Sequence, residues 1–396
     1  MPSILFINRV YPPENGATGR VLEYVAKGFI SAGWDVSVLT TAGDHSKPGS
    51  ALQDRVKVVR ISLPFFKKNL IARALGYALM IPLLLLKALL LPRADVVVTK
   101  TDPPMLLVVG PFLKLLKGSR TIHWAQDLYP EVAEEVGVFS KNGVIAGVLR
   151  RISTLSMRNH DLTFAVGRCM QERLKERGIP QEKIRIVQNV GVEQEILPIP
   201  LGKNAFRLSH GLEGSFVVMY SGNMGRAHDF DTILDAARWL QDQGESSILF
   251  LFVGSGPGES SLRREVSLAG LKNVHFFPPQ PSELLSESLG AADLHLVTMK
   301  SEMSGLVVPS KFYGVMASGR PCLFIGPEDS EVARVIRESR VGMVIPPGEG
   351  LSLASAILKY RSSPEIVQAE GVLASRILQG LNPVAGMIRE ASDLLL

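Results

Sequence analysis

The sequence predicts an α/β protein made of two doubly wound domains. Three observations carry this. Short apolar runs alternate with helical stretches along the chain, the pattern of strands and crossover helices in parallel sheets. A length of 396 residues is more than one ordinary core fills. The segment Ile196-Leu-Pro-Ile-Pro200 breaks the alternation, which then restarts. The domains are expected at 1–198 and 199–380, with a closing helix at 381–396 packing back on the N-terminal domain. Two such domains would face each other across a cleft, the usual seat of a ligand.

Composition narrows the class. Hydrophobic content of 46% with 20% charged residues is that of a globular chain, not a disordered one. Two cysteines, Cys169 and Cys322, fall far apart in expected core positions, which argues against a disulfide framework and fits a reducing cytoplasm. Met1-Pro-Ser-Ile-Leu-Phe-Ile-Asn8 has no basic stretch before its apolar run and reads as the first strand, not as a signal peptide. The net charge of +5 suits an anionic substrate or membrane surface, and no nucleic-acid motif accompanies it.

In the first half, Ser3–Asn8 reads as a buried strand. Tyr11-Pro-Pro-Glu-Asn-Gly-Ala-Thr-Gly-Arg20 is the loop after it, leading into a helix from about Arg20 to Ala32. Gly16 and Gly19 either let a ligand approach the backbone or simply make a tight strand-to-helix turn. Strands follow at Gly33–Thr40 and Val56–Leu63. The run Leu70–Leu91 is interrupted only by Arg73, Pro82 and Lys87. Those interruptions, and the strand Ala94–Thr99 that needs a crossover before it, argue against a membrane span. With Lys67, Lys68, Arg73, Lys87 and Arg93 around it, segment 67–93 reads as a helix lying partly in an anionic lipid surface, with a buried crossover helix as the alternative.

Thr101-Asp-Pro-Pro104 opens the next loop, and Arg120–Trp124 is a strand. Its carboxyl end delivers Ala125-Gln-Asp-Leu-Tyr-Pro-Glu131, and acidic residues in that place serve chemistry in α/β sheets. Asp127 could equally cap the following helix, and the residues leave both readings open. His123 is expected to point into the core. Strands at Asp161–Val166 and Ile184–Asn189 complete this half.

In the second half Phe216–Tyr220 is a strand with the glycine-bearing exit loop Ser221-Gly-Asn-Met-Gly-Arg-Ala-His228. Asp229-Phe-Asp231 resembles a metal–diphosphate triplet, but Asp229 is better placed as a helix cap. Gly254-Ser-Gly-Pro-Gly258 follows the strand Ile248–Val253. After the strand Asp293–Thr298 comes a small-residue turn and a helix entered near Ser310, which closes on Gly319 with Pro321 behind it. Lys311 in the first turn opposes the helix dipole; with the free N–H groups there it would hold a diphosphate, unless it is an ordinary surface lysine.

The ordered set of these segments carries a resemblance. Pro12-Pro13…Gly16, Thr101-Asp-Pro-Pro104, Asp127-Leu-Tyr-Pro-Glu131 and Gln188-Asn-Val-Gly-Val192 come first. Ser221-Gly-Asn-Met-Gly-Arg226, Val253-Gly-Ser-Gly256 and Val308-Pro-Ser-Lys…Tyr313-Gly…Met316-Ala-Ser-Gly-Arg-Pro321 complete it. Together they resemble the GT-B glycosyltransferases over nearly the whole chain, in particular the retaining family 4 enzymes of O-antigen and exopolysaccharide assembly. Two departures stand out. The family's Glu-x7-Glu pair, whose second member binds donor ribose, falls on Leu306 and Gly314; only a gapped alignment would bring Glu302 into the first position. Its usual Arg and Lys on the first donor-domain loop fall on Asn223 and His228, leaving Arg226 and Lys311 as the cations that replace them. The chain resembles a subgroup with the Pro-Ser-Lys signature.

The resemblance implies the GT-B fold, two doubly wound Rossmann-like domains facing across a cleft. It implies transfer of a sugar from a UDP or GDP sugar to a lipid-linked or oligosaccharide acceptor, with Asp127, Arg226 and Lys311 catalytic. Donor contacts would come from Gly16, Gly222, Asn223, Arg226, His228, Gly254, Ser255, Gly256, Phe277, Gly305, Pro309, Ser310, Lys311 and Tyr313. Acceptor contacts would come from Asn15, Arg20, Asp127 and Glu131. No metal or cofactor and no nucleic acid is implied; the expected place is the cytoplasm, peripheral at the inner face of the plasma membrane. The rivals are an epimerase of the same architecture and a non-catalytic scaffold. A nicotinamide enzyme is disfavoured because no Gly-x-Gly-x-x-Gly follows a strand.

Overall fold

The computed structural model describes residues 1–14, 16–62, 70–141, 143–225 and 227–396, without the side chains of 70–75, 77, 78, 192 and 194. Contacts divide it into two units. The first comprises Met1–Val192 with Gly305–Val307 and Asn382–Leu396; the second comprises Glu193–Ser304 and Val308–Leu381. The boundary read at 198/199 lies in the stretch Ile196–Pro200, inside the second unit.

The strands of the first unit are β1 (Ser3–Ile7), β2 (Asp35–Thr41), β3 (Gly49–Gln53), β4 (Val56–Ile61), β5 (Val96–Thr99), β6 (Arg120–Ala125), β7 (Leu162–Ala165) and β8 (Ile184–Ile186). Their order is β3-β4-β2-β1-β5-β6-β7-β8, and every pairing is parallel except β3 with β4. β1, β5 and β7 are apolar because helices cover both faces of the sheet. On one face Val21, Leu22 and Val25 of the helix Ala17–Ser31 meet Ile4 and Phe6. The helix Pro383–Asp393 packs beside it, so closely that a Cβ on Gly28 would stand 2.4 Å from Val384. On the other face Met80, Leu84, Val109 and Leu113 cover Leu5, Ile7 and Val97.

Two elements of this unit differ from the reading of the sequence. The first helix starts at Ala17, not Arg20, because Gly16 is already its N-cap. β3 has no apolar alternation to announce it; nearly all of it is exposed and it is held only by its hairpin with β4. The turn between them, Asp54-Arg55, has φ of 46° and 70°, the left-handed pair of a two-residue hairpin, without the glycine that usually signals one.

The second unit contains β9 (Phe216–Ser221), β10 (Ile248–Val253), β11 (Val274–Phe277), β12 (Leu294–Thr298), β13 (Cys322–Ile325) and β14 (Gly342–Ile345). Their order, β11-β10-β9-β12-β13-β14, is the doubly wound order of a dinucleotide-type sheet. Chain direction across the sheet reverses between β9 and β12, the place where such sheets open a crevice at their carboxyl ends. The first unit has its own reversal between β1 and β5. Cys169 and Cys322 are both buried, and neither forms a disulfide.

The helix Glu331–Ser339 ends on Arg340, whose φ of 54° is a left-handed cap held by its N–H to the Ile336 carbonyl. A glycine occupies that conformation without the Cβ cost. Arg340→Gly is therefore expected to stabilise the protein by about 0.5–1 kcal/mol, read as a higher midpoint in urea; an unchanged or lower midpoint would show that the arginine side chain contributes more than its backbone costs.

Candidate active site

At the reversal of the second sheet, β9 ends in Tyr220-Ser221 and β12 ends in Thr298. The helix Lys311–Ala317 follows β12 and sends its lysine back over β9. The Lys311 ammonium lies 4.0 Å from the centre of the Tyr220 ring and donates to its hydroxyl. That hydroxyl donates in turn to the Asn223 carbonyl at 2.7 Å. His228 Nδ1 stands 2.7 Å from the Thr298 carbonyl, which can only accept, so Nδ1 carries the proton. Nε2 is then a lone pair facing the Lys311 ammonium at 3.4 Å. Burial, reinforced by the Lys311 charge, pushes His228 down to about 4. This histidine supplies no positive charge at neutral pH.

Lys311 is half-buried as a residue, but its ammonium is enclosed. Desolvation pushes it down to about 7, and no carboxylate opposes that shift. Gly222, at φ 135°, turns bare backbone toward it: a Cβ there would stand 3.6 Å from Nζ. The site is thus a poised cation beside an open stretch of main chain, suited to accept an anion.

The helix itself contributes less than the sequence reading supposed. It has seven residues, and the N–H groups of Phe312 and Tyr313 bond to the Pro309 and Ser310 carbonyls at 3.1 Å each. Those donors are used by the turn, so the lysine side chain is what remains for an anion. Tyr313 is buried with its ring tilted 55° to that of Phe312, and Pro309 is buried. Ser310 is the N-cap, without a side-chain capping bond.

The glycines of the next loop have an internal explanation. A Cβ on Gly254 would meet the Gly222 carbonyl oxygen at 2.2 Å, and one on Gly256 would meet Met224 N at 2.6 Å. The two exit loops are stitched together, Met224 N donating to Ser255 O at 2.9 Å. These glycines let the two loops touch; Ser255 and Asn223 remain exposed on them. Phe277 stacks edge-on against Phe206 and His210 rather than standing free. Asp229 does cap: its carboxylate accepts from Thr232 N at 3.3 Å and from Thr232 Oγ1 at 2.8 Å. Arg226 and Asn15 lie outside the described residues.

The first unit gathers a second cluster at the reversal between β1 and β5. Arg9 pairs with Asp102 at 2.6 Å. Lys100, at the end of β5 and fully buried, donates to the Thr18 carbonyl at 2.6 Å and lies 4.3 Å from the centre of a Trp124 ring. Burial pushes this lysine down to about 7, against the pull of Asp102 and Asp127. Asp127, after β6, is pushed up to about 6 by burial and by the Asp102 charge, with Lys100 pulling the other way. No side chain caps the helix Glu131–Glu135, so Asp127 is not spent as its cap. Its main chain is pinned by an antiparallel bridge to Val307 and by Leu128 N donating to Leu306 O at 2.9 Å.

The other residues read from the first half are used structurally. Glu131 is paired with Arg150 at 3.2 Å and with Arg177, so its charge is already neutralised. His123 is in the core as expected, held at 3.1 Å to the Thr99 carbonyl and pushed down to about 3 by burial. Gly16 and Gly19 sit against Val10, at 2.9 and 3.0 Å for an added Cβ, which is the tight-turn reading. Gly305, at φ 73°, passes the Cys169 carbonyl at 2.9 Å for a Cβ. Arg20 is exposed at the helix start. The residue missed was Lys100. Its signal was available: a lysine directly after Val-Val-Val-Thr, at the carboxyl end of a wholly buried strand.

Two family profiles match the chain. Residues 16–190 match the Glycosyl transferase 4-like domain, and 215–362 match Glycosyl transferases group 1. The chain belongs to the glycosyltransferases, and its fold is GT-B. Relatives of this glycosyltransferase include the probable glycosyltransferase WbjE of Pseudomonas aeruginosa, 29% identical over 67% of the chain. Another is the putative colanic acid biosynthesis glycosyl transferase WcaI of Escherichia coli, 27% identical over 52%. The alignments cover 66% and 51% of those two proteins, less than two thirds of either. In fold it matches the sucrose-phosphate synthase of Thermosynechococcus elongatus over 100% of this chain and 98% of that one, with a TM-score of 0.80 at 15% identity. HepE of Anabaena, solved with UDP and glucose, matches over 100% and 99%, with a TM-score of 0.74 at 16%. In this glycosyltransferase Leu306 is buried, and Gly314 sits within a buried helix near Leu289 and Ile196. Neither position can supply the carboxylate that the resemblance places there.

Proposed function

We propose that the protein transfers a sugar, with retention, from a UDP or GDP sugar to a lipid-linked saccharide during surface polysaccharide biosynthesis. The observation that carries the reading is the Lys311 ammonium, desolvated and with no carboxylate partner among the described residues, beside the bare main chain of Gly222 at the reversal of the second sheet. A diphosphate leaving the sugar gathers negative charge, and a preplaced cation in a dry site stabilises that charge with little reorganisation. Arg226 would add a second cation from the same loop. Asp127, held near neutral pH by burial, would orient or deprotonate the acceptor hydroxyl. Leu306 and Gly314 leave donor ribose to polar main chain and to Ser255 or Asn223. No metal ion is needed where side chains carry the charge; among the described residues no His, Cys, Asp or Glu cluster is placed to hold one.

The colanic acid biosynthesis in the name of WcaI and the UDP and glucose of HepE support this class of product and donor. The protein would work at the cytoplasmic face of the plasma membrane, peripheral through segment 67–93. Residues 67–69 of that segment lie outside the described residues. Among the described residues no helix is long and apolar enough to cross a membrane.

A panel of nucleoside diphosphates and their sugars, read by thermal unfolding, tests the donor. One nucleobase family is expected to raise the melting temperature in a dose-dependent way, because a ligand bound only to the folded state stabilises it by mass action. No shift with any of them overturns the donor assignment. Release of free nucleotide without an acceptor, together with a rearranged sugar, would favour an epimerase instead.

A further inference from the structure

One face of the first unit remains unused by either cluster. The helices Leu70–Leu90, Val109–Lys117 and Val144–Asn159 lie side by side on one side of its sheet. Each buries one stripe, through Leu84, Leu113 and Met157 for example. Each is also apolar on its outward stripe, which an ordinary surface helix is not. On the first helix Leu79, Leu83, Leu86 and Leu90 are exposed, spaced at helical intervals on one side. On the second the exposed residues are Phe112, Leu115 and Leu116, with Leu115 80% exposed. On the third they are Val144, Ile145, Val148, Ile152 and Leu155, with Val144 85% exposed. Among the described residues, 12 of the 23 exposed large apolar side chains belong to these three helices. Scattered apolar residues are normal on a surface, but a contiguous set marks a docking face.

Charge decides what docks. The three helices hold two, two and three Lys or Arg respectively, and no Asp or Glu at all. Some of these cations are tied into the unit: Lys114 meets Asp161 at 2.6 Å, and Arg150 meets Glu134. Lys117 sits in the seam between the first two helices, donating to the Ala88 and Leu89 carbonyls at 3.2 and 3.1 Å. Arg151 is exposed among the apolar residues of the third helix. An apolar face with basic residues and no carboxylate is complementary to anionic lipid: the side chains enter the acyl boundary while the cations meet the headgroups.

We infer that these three helices together form a docking face for an anionic phospholipid bilayer, with helices 109–117 and 144–159 adding contact that segment 67–93 alone lacks. The face does not depend on the transfer reaction. It holds the unit flat against lipid without any spanning segment.

The test uses the full chain and vesicles of phosphatidylcholine with about a quarter phosphatidylglycerol. Wild type is expected to sediment with these vesicles at least ~10-fold more strongly than with phosphatidylcholine alone, and less so at high salt. The variant Leu115→Gln/Leu116→Gln/Ile145→Gln, altered only outside 67–93, is expected to lose ~10-fold or more of that binding. Its nucleotide-induced thermal shift should stay as in wild type, which shows that it folds. Unchanged vesicle binding by this variant overturns the inference and leaves segment 67–93 as the anchor. A wild-type dimer or larger assembly that the same substitutions dissociate, with no vesicle binding by either protein, also overturns it and makes the face a protein interface. Loss of nucleotide response in wild type would strike the donor assignment and leave the lipid face standing.

Discussion

Lys311→Ala is expected to lower kcat about 10²-fold at saturating donor, because one charge-stabilising donor is worth on the order of 3 kcal/mol at a developing anion. The effect should fall on kcat more than on KM, since the charge grows as the sugar–phosphate bond breaks. A second readout follows from the desolvated state of the ammonium. Lys311 is pushed down to about 7, so at pH 8 it is largely neutral in the free protein. A diphosphate arriving beside it favours the charged form and restores the proton. Binding of a nucleoside diphosphate at pH 8 should therefore take up close to one proton (about 1 by linkage), measured by calorimetry in buffers of different ionisation enthalpy. Lys311→Met fills the stem's space without a charge and should abolish that uptake. The sign for stability also follows. The folded state binds fewer protons than the unfolded one from about pH 7 up to the ordinary lysine range, so stability contributed at this site rises with pH across that window. Lys311→Met should flatten that rise. Turnover near the wild-type rate in Lys311→Ala at saturating donor would refute the leaving-group role.

Much of the fold was legible because parallel strands announce themselves. Val96–Thr99 and Leu294–Thr298 are wholly buried, so their apolar runs are unbroken and bounded by turn residues. β3 was not legible, since a strand paired on one edge and exposed along its length needs no apolar pattern. The helix Val144–Asn159 was not read from the sequence. Its apolar periodicity marks an outward face, with Val144, Ile145, Val148, Ile152 and Leu155 exposed, while its buried side carries Ala146, Ser153 and Met157. Sequence placed the glycine loops at the ends of β9 and β10, where they lie, but did not show the steric role of their glycines. Nothing local reveals that Gly254 must clear the Gly222 carbonyl, because the two loops are 32 residues apart and meet only through the pairing of β9 with β10. Lys311 was legible as an anomaly, a cation at the wrong end of a helix. Its partners Tyr220 and His228 come from a different strand exit, and only the sheet order brings them to it. The neutrality of His228 depends on the Thr298 carbonyl in the same way.

Asp127→Asn should separate catalysis from stability. Burial and the nearby Asp102 charge raise the Asp127 carboxyl to about 6, which places it where a base can both hold and release a proton near neutral pH. If it takes the acceptor proton, kcat/KM rises with pH through about 6 and then levels. The asparagine variant should lose about 10²–10⁴-fold in activity, together with that acidic limb. The stability effect has the opposite sign. With a folded pKa above the ordinary carboxylate value, the folded state binds more protons than the unfolded one between roughly pH 4 and 6. Whatever this favours is present below the unfolded value and lost as pH rises through the folded one, so at pH 7 the ionised carboxylate destabilises the unit. Asn removes that cost and should stabilise the protein by about 1 kcal/mol at pH 7. The gain stays well under the full shift, because Lys100 loses a favourable charge in the exchange. It should vanish below about pH 4, where the aspartate is protonated in both states. A variant that loses activity and is also less stable at pH 7 would mean that Asp127 is a structural anchor for the loop after β6. One that keeps the acidic limb would assign that titration to another group.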